Sequence, residues 1–322
     1  MAARLNPDPA PPDLVDLRRI SGRELDPLLR EEVAAWRDGL DWDFDKSASL
    51  VRRFVDLRAL SGHALLVEGQ PVGYLYYVLE ESKGLVGDIF LTAAHRSVEN
   101  EDRLLEAAFD SMIESAQVTR VESQLLMLEH ARARRLPYSE YAEAFDRNFM
   151  RVDLRTADLS AGHVRHPMYL ETWSDHYHDA AAQLIAAAYT GHVDSRINDQ
   201  YRSVPGARRF LFNIVQYPGC GAFFRPASYA AFEAGGQLCG VSLASLVSQH
   251  CGHITQICVS PAVRGTGIGH ALLRQSLITL RDMGCHAASL TVTSSNGGAV
   301  ALYERVGYRT IRRFSAYAWE GF

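Results

Sequence analysis

Between residues 229 and 259 apolar side chains come in short runs broken by Gly-containing turns, which predicts strands at 229–233, 238–247 and 253–259. Upstream, the pattern predicts a strand at 169–172 and helices over 179–189 and 208–215. After residue 259 the period changes. Leu272, Leu273, Leu277 and Leu280 fall at helical spacing and predict a helix over 269–283, which Gly284 ends as a C-terminal cap. A strand at 287–292, a helix over 298–306 stopped by Gly307, and strands near 309 and 314–319 complete the half.

This order of elements has an echo earlier in the chain. IFLTAAHR at 89–96 matches ICVSPAVR at 257–264 at an offset of 168, and the same offset carries Leu104 and Leu105 onto Leu272 and Leu273. Residues 64–78 resemble 229–247, each reading as two strands around a short Gly-containing turn. Phe145-Asp146-Arg147 resembles Tyr303-Glu304-Arg305 with one or two residues of slack in register. Matches in one order predict two related domains, at 13–156 and 169–322, after a flexible leader at 1–12. The polar stretch 157–168, with Gly162 and Pro167, is the expected linker.

Length agrees, since 322 residues exceed the usual size of one compact core. With 47% hydrophobic and 22% charged residues the composition is that of an ordinary globular protein. The formal charge of −5 and the absence of a Lys/Arg block argue against a nucleic-acid partner. No apolar run reaches bilayer-spanning length and the N-terminus does not read as a signal peptide, so no membrane partner and a cytoplasmic location are expected. Five cysteines without C-x-x-C spacing fit reduced thiols rather than a metal site.

The candidate chemistry lies at Arg264-Gly265-Thr266-Gly267-Ile268-Gly269, between a predicted strand and a predicted helix. Glycines there let the backbone turn tightly and aim N–H groups of the helix N-terminus at an anion, while the bland reading is a turn that only reverses the chain. The spacing fits neither G-x-x-x-x-G-K-[ST] nor the dinucleotide pattern.

The segment resembles the [QR]-x-x-G-x-[GA] signature of the GNAT acyltransferases, with Arg264, Gly267 and Gly269 at its fixed positions. Asn296, after the strand Ser289-Leu290-Thr291-Val292, and the run Ala301 to Tyr308 resemble further features of that family over roughly residues 228–315. The N-terminal half matches in outline, so the arrangement is similar to tandem members of the superfamily, mycothiol synthases among them. The resemblance implies an α/β (α+β) fold of two tandem GNAT-like domains, each a mixed, mostly antiparallel central sheet flanked by helices.

The resemblance also implies acetyl-CoA as cosubstrate. The backbone of Ile257, Cys258 and Val259 would pair with its pantetheine, and the N–H groups of Gly265, Thr266, Gly267, Ile268 and Gly269 would hold the pyrophosphate. Acyl transfer to an amine needs an acid for the departing thiolate and a route for the amine proton. Tyr303 is the candidate acid, with core packing as its bland alternative. Asn296 either contacts the cofactor arm or caps the following helix. Many relatives carry a Glu where this chain has Thr291, so His253 is the candidate base, with Glu233 a weaker one.

In the first copy Glu99 and Glu101 stand opposite Gly267 and Gly269, and Phe145 stands for the tyrosine. Side chains and negative charge there disfavour a pyrophosphate, so the first domain is expected not to bind acetyl-CoA. The expected function is an N-acetyltransferase acting on a primary amine of a small molecule or peptide, directly in a ternary complex. Two other readings stay open: a non-catalytic acyl-CoA sensor, and a mycothiol-synthase-like small-molecule amine as acceptor. The acceptor would be set by the segment 175–225, with His176, His178, Tyr189, His192, Asp194 and Tyr201. A homodimer is compatible with the sequence, which does not itself set the oligomeric state.

Overall fold

The computed structural model describes residues 12–116, 118–128, 135–217 and 219–322. All but one residue of the expected leader at 1–12 lie outside the described residues. The chain divides into two compact units, one of residues 1–32, 48–141 and 319–322, the other of 33–47 and 142–318.

The first unit holds β1 (Asp13–Asp16), the start of α1 (Gly22–Leu40), most of α2 (Asp45–Asp56), β2 (Ser61–Val67), β3 (Gln70–Glu80), β4 (Lys83–Leu91), α3 (Val98–Ala116) and β5 (Arg120–Gln124). Its strands pair in chain order, antiparallel from β1 to β4 and parallel between β4 and β5. Helix α3 lies on β2 and β3, and Leu104, Leu105, Ala108 and Phe109 are its buried stripe.

The second unit begins with β6 (Ala142–Asp153), then β7 (Met168–Thr172), α4 (His178–Tyr189), α5 (Asp194–Ile197) and α6 (Val204–Gln216). There follow β8 (Ala222–Phe223), β9 (Tyr229–Glu233), β10 (Leu238–Leu246), β11 (Cys251–Val259), α7 (Ile268–Asp282), β12 (Ala287–Thr293), α8 (Gly297–Val306) and β13 (Arg309–Glu320). The sheet order is β13-β6-β12-β11-β10-β9-β7, with β8 on β10. Helices cover both faces. Leu273, Leu277 and Leu280 of α7 and Val306 of α8 pack with Ile254, Ala288 and Leu290 on one face. On the other, Ile185 of α4 and Leu211 of α6 pack on Val241, Leu243 and Cys258.

The elements expected from periodicity are present in this half. Gly284 and Gly307, at φ 95° and 105°, adopt the left-handed conformation expected past a helix end. The expected strands near 309 and 314–319 are one strand, β13.

Two expectations are corrected. Phe145 is not the counterpart of Tyr303: it lies on strand β6, ten residues off the 168-residue register, whereas Tyr303 is on α8. Strand β6 pairs with β12 over 147–153 and 287–293, which draws 142–156 into the second unit. Nor is 157–168 a free linker. The backbone N–H of Asp158 donates to Val306 O at 3.0 Å, Arg274 Nε to Leu159 O at 2.7 Å, and the Arg165 N–H to Thr266 O at 2.8 Å. These bonds bind the segment along α7 and α8.

Leu277 is fully buried between α7 and the sheet. Leu277→Ala is expected to lower the unfolding free energy by about 2–5 kcal/mol, read from a shifted urea midpoint with an unchanged m-value.

Candidate active site

The site begins with a register slip. Leu243 of β10 stands opposite Gln256 and Ala244 opposite Ile254, so Thr255 of β11 is an extra residue, a β-bulge. The parallel ladder between β11 and β12 ends at the Ile254–Leu290 pair, and β12 continues on β6 while 255–259 continue on β10. The two parallel strands thus part company, leaving the β12-facing backbone edge of 255–259 open.

That edge leads into a cleft of about 550 Å³, within the range of small-molecule sites. One wall is the backbone of Ile257, Cys258 and Val259, another the turn at Arg264, Gly265, Gly267 and Gly269, and a third the start of α8 with Asn296. Gly265 and Gly267 have φ of 74° and 99°. A Cβ at Gly267 would also meet His163 O at 2.5 Å, so its own chain already requires glycine there. Gly269 differs: a Cβ there would meet nothing closer than Val259 Cγ2 at 3.6 Å, so the chain does not demand this glycine. Its small size keeps the cleft open. Thr266 and Ile268 turn away, Thr266 Oγ1 donating to Val263 O at 2.7 Å and Ile268 filling the core.

Arg264 braces the turn, donating from its guanidinium to Val259 O at 3.3 Å and to Ala188 O. Arg305 also lines the cleft and adds a second cation to its rim, beside His270, whose pKa burial and the neighbouring arginines lower. An open strand edge, unprotected N–H groups at the α7 N-terminus and cationic side chains fit an extended amide chain that ends in phosphates, the shape of acetyl-CoA.

Asn296 caps α8, accepting from the Ala299 N–H at 3.3 Å, and its amide nitrogen lies 3.2 Å from His192 Nε2. Tyr303 does not line the cleft. It is 6% exposed, packed in the core beneath α8, and burial together with the Asp194 charge raises its phenol above the ordinary range. The phenol stays protonated at neutral pH.

His253 is not at the cleft either, which corrects its assignment as base. It is buried against Trp42 and Phe149, with Nδ1 2.9 Å from Ser289 Oγ, and burial lowers its pKa to about 4. The cause is the bulge. Without an extra residue at Thr255, His253 and Ile257 would share a face; with it they point to opposite sides. Glu233 ends β9 beside His166 and does not line the cleft.

The structure brings together a polar group that the sequence did not single out as a whole. Gln256, 4% exposed, donates from Nε2 to Tyr189 Oη at 3.0 Å and accepts from Tyr201 Oη at 3.3 Å. The two tyrosine rings stack at 4.2 Å. Asp194 accepts from Thr293 Oγ1 and pairs with buried Arg147 at 3.4 Å, and the same arginine donates to Thr293 Oγ1 at 3.1 Å. The Asp194 charge contributes to the raised pKa of Tyr189, Tyr201 and Tyr303 alike, which places it among the three phenols. Strand alternation from Cys258 back to Gln256 was the available signal for Gln256; nothing local pointed to Arg147.

Residues 194–308 match the Acetyltransferase (GNAT) family model. Over 92 residues the chain is 33% identical to a mycothiol acetyltransferase of Pseudarthrobacter chlorophenolicus, covering 27% of this chain and 28% of that protein. It is 33% identical over 70 residues to the N-alpha-acetyltransferase MAK3 of Arabidopsis thaliana, covering 22% of this chain and 37% of that protein. The chain thus spans well under half the length of these curated relatives. Two solved structures share the fold over nearly the whole chain. A GCN5-related N-acetyltransferase from Sphaerobacter thermophilus has a TM-score of 0.67 at 17% identity, covering 95% of both chains. A tandem GNAT protein from the clavulanic acid biosynthesis pathway has a TM-score of 0.61 at 17% identity, covering 96% of this chain and 98% of that one. Residues 194–308 are thus similar in sequence to the GNAT acetyltransferases, and the chain shares the fold of these two solved structures.

The buried, neutral His253 has a consequence for stability. Its folded pKa of about 4 lies below the imidazole value of about 6.5 in an unfolded chain, so between these limits the unfolded state binds the extra proton. Stability is therefore lost as pH falls through that window, by an amount on the order of 2–3 kcal/mol. His253→Gln is expected to shrink the difference in unfolding free energy between pH 7 and pH 5, measured by urea titration at both.

Proposed function

We propose that the second unit is an N-acetyltransferase that uses acetyl-CoA and passes the acetyl group directly to a primary amine in a ternary complex. The observation that carries this reading is the open 255–259 edge of β11 running into the left-handed Gly265–Gly267 turn, within one cleft. When bound, acetyl-CoA supplies an acyl group activated as a thioester.

The residues divide the work by position. The backbone at Ile257 and Val259 holds the extended arm, and the α7 N-terminus with Gly269 takes the pyrophosphate. Tyr303, kept protonated by burial, gives its proton to the leaving thiolate. Tyr303 lies on the same helix as Ala299 and Leu302, which do line the cleft. The names of the relatives, a mycothiol acetyltransferase and an N-alpha-acetyltransferase, point to two acceptor types, a small-molecule amine and a peptide N-terminus. A chain that binds acyl-CoA without turnover is the competing reading.

The first unit is proposed to support the fold without binding the cosubstrate. Its turn at 92–98 contains no residue with positive φ among the described residues, and Glu101 is buried in the first turn of α3. Calorimetric titration of the full chain is expected to give one acetyl-CoA site, and two sites would contradict the assignment. Gly269→Glu should weaken binding at least 100-fold with the thermal midpoint preserved, because its Cβ makes only ordinary contacts, with Val259 Cγ2 at 3.6 Å and Leu302 Cδ2 at 3.9 Å, while its carboxylate repels the phosphates.

Tyr303→Phe is expected to slow CoA release to an amine about 10- to 100-fold, at unchanged acetyl-CoA affinity. Equal rates for the two proteins with every amine would remove Tyr303 from the mechanism.

A further inference from the structure

Once His253 is excluded by its burial, the proton of the attacking amine has no acceptor among the residues assigned above. Gln256 and Thr291 do not take up protons at neutral pH, and burial pushes the Cys258 thiol up to about 12. Two histidines line the cleft, and His270 sits in the first turn of α7, at the glycine turn proposed for the pyrophosphate, which leaves His192 for the amine. His192 lines the cleft between Tyr189 and Asn296, on the wall formed by the end of α4.

Its surroundings order the ring. Asp194 Oδ2 lies 3.9 Å from Nδ1 on one side, and the Asn296 amide nitrogen lies 3.2 Å from Nε2 on the other. The Asn296 contact selects the tautomer with the proton on Nδ1, which leaves a lone pair on Nε2; the Asp194 carboxylate, beyond hydrogen-bond reach at 3.9 Å, favours that form through its charge alone, and the Asp194 backbone N–H, donating to Nδ1 at 3.2 Å, favours the opposite one. Asp194 is itself fixed from behind by Thr293 of β12 and Arg147 of β6. A carboxylate with two anchors, an imidazole and a cleft in sequence form the arrangement of a base and its orienting group.

We propose that His192 is the catalytic base of the transfer and that Asp194 is the residue that positions it; the inference rests on the acetyltransferase reading above. The acceptor nitrogen forms a bond to the acyl carbon as the carbon–sulfur bond breaks. His192 Nε2 takes the proton from that nitrogen, and the departing thiolate receives one from Tyr303. Protons and electron pairs balance without any further reactant. The class of acceptor follows: an amine that can approach past the Tyr189 ring to within hydrogen-bond reach of His192.

The test uses the full chain with acetyl-CoA and four probe acceptors, spermidine, tyramine, glucosamine and a tetrapeptide with a free N-terminus, with water as a fifth. CoA release is measured for wild type, His192→Ala, His192→Gln, Asp194→Asn and the His192→Ala/Asp194→Asn pair. The expected result is a kcat at least 30-fold lower in both His192 variants, with the acetyl-CoA KM within threefold. Added imidazole should restore at least tenfold to His192→Ala beyond any gain it gives wild type. Asp194→Asn should lower kcat on its own yet cost nothing further in the His192→Ala background, the signature of a residue acting through the other.

Retention of kcat within threefold in the His192 variants, or absence of imidazole rescue, would overturn the proposal. So would a wild type that binds acetyl-CoA by calorimetry but releases no CoA above the buffer rate with any of the five. A chain that binds no acetyl-CoA at all contradicts the acetyltransferase reading instead, and the two failures are thereby distinguished.

Discussion

Everything in the second unit depends on two neighbouring parallel strands that are held together for four residues and then released. Strands β11 and β12 pair over Cys251–Ile254 and Ala287–Leu290, and the bulge at Thr255 then turns β11 away while β12 stays with β6. A sheet that runs on without interruption buries its own hydrogen-bonding groups and presents no edge inside the fold. Here the interruption leaves an edge of backbone N–H and C=O groups facing a cleft, and such groups require partners. The glycine turn and the α8 cap stand where a ligand that completes the ladder would end.

The first unit preserves the same device without the rest of the site. Strand β4 pairs with β5 over Lys83–Val86 and Arg120–Ser123, and its register against β3 slips at Gly87, the residue 168 positions before Thr255. The strand geometry is thus common to both units while the turn is not: Asn100 Nδ2 donates to His95 O at 2.8 Å, and the Arg96 guanidinium to Leu91 O at 3.2 Å, closing 91–100 on itself. Asp88, opposite Gln256 in the repeat, is a buried carboxyl whose pKa burial raises, so the two copies carry different polar chemistry at one position of the fold.

Much of this was legible in the sequence, for reasons that differ by element. Helix α7 announces itself through Leu272, Leu273, Leu277 and Leu280, and the turn before it through glycines that no regular element would place together. Strand β6 carried a signal of its own, Met150 and Val152 alternating with Arg151 and Asp153, but its pairing with β12 is a long-range choice that periodicity does not encode. The faces of β11 were hidden by the bulge, because one inserted residue reverses the sidedness of everything before it; His253 was misplaced for that reason. The Arg147–Asp194–Thr293 group joins three segments far apart in the chain and could be assembled only by the fold.

The central claim is that the open edge of β11 and the turn after it are where acetyl-CoA binds, and amide hydrogen exchange on the full chain tests it directly. On addition of acetyl-CoA the account predicts slowed exchange at the amides of 257–259 and 265–270, with residues 89–101 of the first unit unchanged. Binding that leaves 257–259 and 265–270 unprotected, or that protects 89–101 instead, would contradict it.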